Sequence, residues 1–221
     1  MPAPTPEQLG PLAGLAGMWE GSKGVDVSFH NADGEIGDTP YREKVTLAPF
    51  GPVDNGHQQL FGLDYRMAAW RGDEEDPFHT EVGYWLWDVA REEIYRCVMV
   101  PRGTVVLSGG SVKLGDKSFT LRSDLGSTGF GVLQNPHVDE HASTTNFEIT
   151  ITVGDDTWSY DETMDVYISR LGRQMQHKEG NTLTRVAEQH HRNVMTRSAR
   201  WRRVWCGDGP TLCPRRRAFG V

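Results

Sequence analysis

Residues 144–153 read TTNFEITITV. Thr145, Phe147, Ile149, Ile151 and Val153 fall on one parity, while Asn146, Glu148, Thr150 and Thr152 fall on the other. Alternation of this kind is the period of a half-buried β-strand, since successive side chains point to opposite faces. Gly154-Asp155-Asp156 then supply turn chemistry. Residues 158–169, WSYDETMDVYIS, resume the alternation with Trp158, Tyr160, Met164, Val166 and Ile168 on a single parity. The two runs predict an antiparallel hairpin with one apolar face.

The same pattern extends outward. KVTLAPF, HQQLFGLDYRMAAW, HTEVGYWLWDV, EIYRCVMVPRG, TVVLSGG and SFTLRSD read as further strands, separated mostly by short loops with Gly, Asp or Pro. GYWLW and YRCVMV are apolar on both parities. Only the N-terminus departs from period two. Thr5-Pro6-Glu7-Gln8 has the form of a helix start, with a threonine cap, proline at the first helical position and a glutamine placed to reach back. Leu9, Leu12 and Leu15 follow at helical spacing and Gly17 offers a stop. Eight to ten consecutive strands with hairpin-length connections predict an all-β fold, an up-and-down antiparallel β-barrel of about ten strands behind a short N-terminal helix. Closure removes the exposed edges of such a sheet. A β-sandwich would need longer crossovers, for which only the stretches around Gly21 to Tyr41 and Gly126 to Ala142 have the length.

At 221 residues the chain suits one buried core, and 25 glycines and 12 prolines agree with many turns. MPAPTPEQLG lacks the basic and apolar segments of a signal peptide, and no run of about 18 apolar residues occurs, so a cytoplasmic protein without a membrane partner is expected. Cys97 lies in a strand-like run and Cys206 and Cys213 near the end, with no Cys/His metal spacing. After Val186 the pattern stops. Residues 187–221 hold eight arginines against Glu188 and Asp208, a formal +6, which leaves −13 for the rest of a chain whose net charge is −7. The expected organisation is a barrel domain over residues 1–186 and an Arg-rich disordered tail over 187–221. An acidic body argues against nucleic acid as its partner.

GMWEGSKG, with Gly17, Trp19 and Gly21, resembles the G-x-W-x-G-x-G signature of the nitrobindin family, although Lys23 stands where the third glycine belongs and Gly24 follows it. FHTEVGYWLW is similar to a second family strand through His79, Glu81, Gly83 and Tyr84, and NTLTRV to its last strand. The resemblance covers roughly Leu9 to Val186. It implies a fatty-acid-binding-protein-like barrel for a hydrophobic ligand, with haem b in an open cleft near one end and a histidine of the final strand on the iron. It also implies NO binding and isomerisation of peroxynitrite to nitrate by the ferric form. Whether this chain is an enzyme depends on haem being bound. The alternative is a branch without the iron-binding histidine, a haem-free carrier or sensor of a fatty-acid-like apolar molecule, and a more remote one is a barrel filled by its own side chains.

His177 is the candidate iron ligand, since an imidazole nitrogen suits haem iron. Counted back from the terminal apolar residue of the last strand, however, the family's ligand position falls on Lys178. A slip of one residue turns a side chain to the other face, so His177 is expected to point away from the haem side unless Gly180-Asn181 forms a bulge. His79 is expected to make a structural contact with Glu81 at strand parity. His137 and His141 flank Val138-Asp139-Glu140 without a third ligand at fixed spacing, His30 and His57 fall in solvated turns, and His190-His191 begin the tail. Asp161-Glu162 and Glu92-Glu93 each split between two faces and make no carboxylate pair. Trp19, Phe61, Tyr65, Tyr84, Trp85, Trp87, Trp158 and Tyr160 are core or cavity lining, and Arg66, Arg102 and Arg185 are solvated or meet a carboxylate or propionate. The sequence has no nucleophile elbow, P-loop or dinucleotide fingerprint.

Overall fold

Thr5 caps the chain's first turn as its neighbours require. Its N–H donates to the Gln8 side chain at 2.9 Å and its hydroxyl accepts from the Gln8 N–H at 3.4 Å. In the computed structural model, which describes residues 3–186, this cap starts helix α1 (Pro6–Leu9), continued by a 3₁₀ turn over Gly10–Leu15. The arginine-rich stretch 187–221, with His190, His191, Cys206 and Cys213, lies outside the described residues.

Eleven strands follow among the described residues: β1 (Gly17–His30), β2 (Glu35–Asp54), β3 (Gln59–Arg71), β4 (His79–Asp88), β5 (Glu93–Val100), β6 (Thr104–Ser111), β7 (Ser118–Leu125), β8 (Gly131–Gln134), β9 (Ala142–Val153), β10 (Thr157–Ile168) and β11 (Arg173–Arg185). They close into a barrel as β1 meets β11. The hairpin predicted over residues 144–169 is β9 and β10, paired antiparallel from Trp158 opposite Val153 to Ile168 opposite Ala142. Thr145 is its one departure. The register shifts beside it, its hydroxyl donates to the Asp165 carbonyl at 3.1 Å, and Thr144 takes the buried position instead.

The two stretches long enough for a crossover have different fates. Gly21 to Tyr41 is no crossover, because β1 and β2 run on as a long hairpin turned at Gly34, a residue with φ of +77°. Gly126 to Ala142 interrupts the meander. It inserts the short β8 between β6 and β7, parallel to β7, and then α2 (Pro136–His141), capped by the Asn135 side chain.

β1 carries the feature that the imperfect glycine signature encodes. Trp19 faces Arg185 of β11 and Val45 of β2, but beyond Gly21 both pairings resume one residue later, with Gly24 opposite Tyr41 and Val25 opposite Gly180. One extra residue is absorbed there as a bulge, with Ser22 and Lys23 both exposed. Gly24 thus takes the inward place that the resemblance gives to a third glycine, and a Cβ there would run into the Tyr41 ring. Gly83 meets a harder limit, since its Cβ would run into the Cys97 carbonyl of the neighbouring strand.

The barrel has two unlike ends. At one, Leu9, Leu12 and Leu15 of the N-terminal segment are buried as a plug. The Trp19 indole donates to the Leu15 carbonyl at 2.8 Å, and Arg185 lies over the Trp19 ring while donating to the carbonyls of Ala16 and Gly14. The Arg185 guanidinium, expected in solvent or on a carboxylate or propionate, caps the last carbonyls of the plug, which lack helical partners, while its Nε lies 3.9 Å from the Asp156 carboxylate. At the far end, beneath the β1–β2 and β10–β11 turns, Val166, Ile168 and Met175 form a second small apolar cluster packed by Phe29, Ala142, Met164 and Leu171.

Candidate functional site

Between these ends the inward face of the barrel is charged. Glu43 on β2, Glu81 on β4, Arg96 on β5 and Glu162 on β10 are all buried, and Glu179 on β11 stands directly opposite both Glu162 and Asp26 of β1. Arg96 Nη2 donates to Glu81 Oε2 at 2.7 Å, and Tyr65 Oη donates to the same oxygen at 2.9 Å. Three aromatic rings, Tyr65, Trp85 and Phe147, surround the guanidinium. Glu43 accepts from Asn181 at 2.7 Å and from Tyr160 at 3.1 Å, and the Tyr160 and Tyr41 hydroxyls meet at 2.6 Å.

Burial and proximity set the protonation of this layer. Burial first, with the Glu179 and Glu81 charges adding to it against hydrogen bonds from Asn181 and Tyr160, pushes the Glu43 carboxyl up to about 8. Burial likewise raises Glu162 and Glu179, because adjacent inward carboxylates cannot all ionise. Glu81 is the exception. Burial opposes its charge, but the Arg96 guanidinium and His79 outweigh burial and hold it below the usual carboxylate range. His79 is 3.5 Å from Glu81, the partner the sequence assigned to it. Burial disfavours its imidazolium, yet the Glu81 contact prevails and raises it to about 9.

One layer nearer the far end stands His177. Against β10, β11 keeps one register from Arg173 to Thr184, so no bulge forms at Gly180-Asn181. None is needed. His177 lies an even number of residues from Met175, Asn181 and Leu183, which are buried, and shares their inward face, whereas Lys178 is exposed. The expectation that His177 points outward is thus corrected: its facing follows from parity with its own strand's buried residues, not from a count to another family member's ligand. His177 pairs across the strands with Met164, and Val166 with Met175.

Asp26 Oδ1 lies 2.7 Å from His177 Nε2. This is ion-pair distance without hydrogen-bond alignment, since both atoms are buried and neither has an aligned partner. The other carboxylate oxygen accepts from the Ser28 hydroxyl at 3.1 Å. Burial alone would raise Asp26, but His177 and Ser28 keep it below its ordinary value.

The remaining candidates scatter. His30 is not in a solvated turn. It ends β1 on the inward side, with Nε2 3.0 Å from the Thr39 hydroxyl. His57 is exposed. His137 and His141 stack on α2 with centroids 4.3 Å apart, and no cluster of three metal-ligating side chains occurs among the described residues. Tyr84 is on the outer face, whereas Trp19, Phe61, Tyr65, Trp85, Trp87, Trp158 and Tyr160 are core. Arg66 and Arg102 are exposed. Asp161 and Glu162 do split between faces. The inward member, Glu162, has Glu179 as its cross-strand partner, a pairing that local alternation does not carry.

Inside the barrel, a cavity of about 10 Å³ is lined by Tyr65, Trp85, Arg96, Tyr160, Glu162 and Glu179, with Met67, Glu81, Ile149 and Trp158 completing it. That is room for about one water molecule, so the expected acyl chain or other apolar ligand finds no space among these side chains. The donor chemistry of the far end is different. There an inward imidazole, 24% exposed, stands beside Met164 and Met175, and soft, apolar neighbours around an imidazole suit a haem iron. The far end supplies a donor whose chemistry suits the group, and the barrel interior has no room for it.

The model of the THAP4-like, heme-binding beta-barrel domain matches residues 8–185. Two peroxynitrite isomerases, from Clavibacter sepedonicus and from Clavibacter michiganensis subsp. michiganensis, are 36% and 35% identical over 88 residues, which is 38% of this chain and 38% of each relative. The chain thus matches well under half the length of these relatives. The crystal structure of Rv2717c from M. tuberculosis has the same fold, with a TM-score of 0.56 at 18% identity, covering 79% of this chain and 94% of that one.

Proposed function

We propose, from the premise that this chain belongs to the nitrobindin family of THAP4-like, haem-binding β-barrel domains, that it takes haem b at its far end with His177 as the iron ligand. The observation that carries this reading is the inward, partly exposed imidazole of His177 beside Met164 and Met175. Bound there, haem would supply an iron able to hold NO or peroxynitrite, the latter in keeping with the name of the two Clavibacter relatives. The protein's own share is to present the imidazole and offer apolar surface to the ring. The charged layer beneath closes the barrel interior to it.

The test is a titration of the full chain with ferric haem, followed by the Soret band. A stoichiometric band that His177→Ala abolishes is the expected result. No uptake by the native chain overturns the haem reading, and uptake unchanged by the substitution overturns the ligand assignment. Peroxynitrite decay in the presence of the loaded protein, compared with His177→Ala, tests the isomerase activity separately.

A further inference from the structure

We infer that the small cavity inside the barrel is a built site for one water molecule, which ties Arg96 on one wall to the carboxyls of Glu162 and Glu179 on the other. The inference does not depend on the haem reading. The residues that line the cavity include Trp85 of β4, Arg96 of β5, Trp158 and Glu162 of β10 and Glu179 of β11. In the closed barrel, β4 and β5 lie across from β10 and β11. All but Glu179 of these side chains are buried.

Donors and acceptors meet the cavity without meeting each other. Arg96 gives Nη2 to Glu81, but its Nε and Nη1 have no hydrogen-bond partner among the described residues, and neither do the indole nitrogens of Trp85 and Trp158. Glu162 makes no side-chain hydrogen bond among the described residues. Glu179 accepts from Tyr160 at a long 3.4 Å. The ion pair of Arg96 is with Glu81, and none joins it to Glu162 or Glu179 among the described residues. Buried donors left unmade are costly, so a cavity with these walls is not a dry one.

Size and chemistry then choose the guest. The space of about 10 Å³ admits about one water. A halide accepts only and would face the carboxyl oxygens, whereas a cation would lie against the guanidinium. Water accepts from Arg96 and an indole while donating to both carboxyls, whose oxygens accept with or without a proton. It thereby links opposite walls of the barrel, a tie that the hydrogen bonds between neighbouring strands do not supply.

The test uses the full chain, Glu162→Gln and Glu162→Met. Magnetic relaxation dispersion of water oxygen-17 counts the waters held longer than the protein tumbles. Glu162→Met, which has no acceptor, is expected to show one long-lived water fewer than the native chain, and Glu162→Gln, which keeps one, to retain it. In the native chain, nitrogen-15-edited spectra are expected to show a dipolar cross-peak between water and the Arg96 Nε–H or an indole N–H of Trp85 or Trp158. Should Glu162→Met fail to fold, these cross-peaks carry the test. An equal count in the native chain and Glu162→Met, or no cross-peak at any of the three residues, overturns the inference.

Discussion

Arg96→Met removes the guanidinium that faces a layer of inward carboxylates while keeping most of the buried stem. Arg96 is 2% exposed and bonds Glu81 at 2.7 Å. Breaking a buried pair by deleting one partner costs about 3–5 kcal/mol. Here the loss has an internal limit. Glu81, left with the His79 contact at 3.5 Å but without its guanidinium, can escape the loss by taking up a proton, and with an ordinary value of 4.5 that uptake costs roughly 3.4 kcal/mol at pH 7 but only about 0.7 kcal/mol at pH 5. The lost contacts with Tyr65, Trp85 and Phe147 add about 1 kcal/mol at either pH. The variant should therefore lose up to about 4 kcal/mol at pH 7, the retained His79 contact setting the loss below that ceiling, and no more than roughly 2 kcal/mol at pH 5. Urea unfolding followed by circular dichroism, at both pH values, measures this. The double variant Arg96→Met/Glu81→Gln removes both charges and should recover more than half of the pH 7 loss. A loss independent of pH, or losses that simply add in the double variant, would refute the assignment of the effect to an orphaned Glu81 charge.

Two further outcomes follow from the same interior. The native Glu43 keeps its proton to about 8 while the unfolded chain releases it near its ordinary value, so the folded state binds more protons in between and loses stability as pH rises from about 4.5 to 8. His79, raised to about 9, contributes fully below its unfolded value near 6.5 and loses that contribution as pH rises through 9. In melting curves from pH 5 to 9, Glu43→Gln should therefore make the decline between 5 and 6.5 shallower, the raised Glu162 and Glu179 carboxyls keeping part of it; a slope identical to that of the native chain rules out the proton on Glu43. Gly83→Ala sets a Cβ against the Cys97 carbonyl, which neither strand can yield without losing pairing, and should cost about 1–3 kcal/mol in equilibrium unfolding. An unchanged midpoint would show that the β4–β5 contact is looser than its geometry implies.

Much of the charged layer is legible in the sequence. Glu43 alternates with Tyr41 and Val45, Arg96 with Ile94 and Val98, and Glu162 with Tyr160 and Met164. Each is a charge on a parity otherwise assigned to the core, which is the sequence signal of a buried polar group that needs a partner. Which partner it has is not local information. Glu81 and Arg96 come from adjacent strands, but Glu43 meets Tyr160 and Asn181 only because the barrel closes between β1 and β11.

Taken alone, the sequence determined the period, the turns, the plug and the positions of the signature glycines, because strand alternation, capping and the room for a Cβ act over a few residues. It also placed His177 on a final strand. Tertiary structure alone decided the rest: that β8 wedges between β6 and β7, that the extra residue near Lys23 is bulged out of β1, and that Asp26 stands against His177 from a strand about 150 residues away. Closure joins the first strand to the last, and only that contact turns two isolated polar residues into a candidate site.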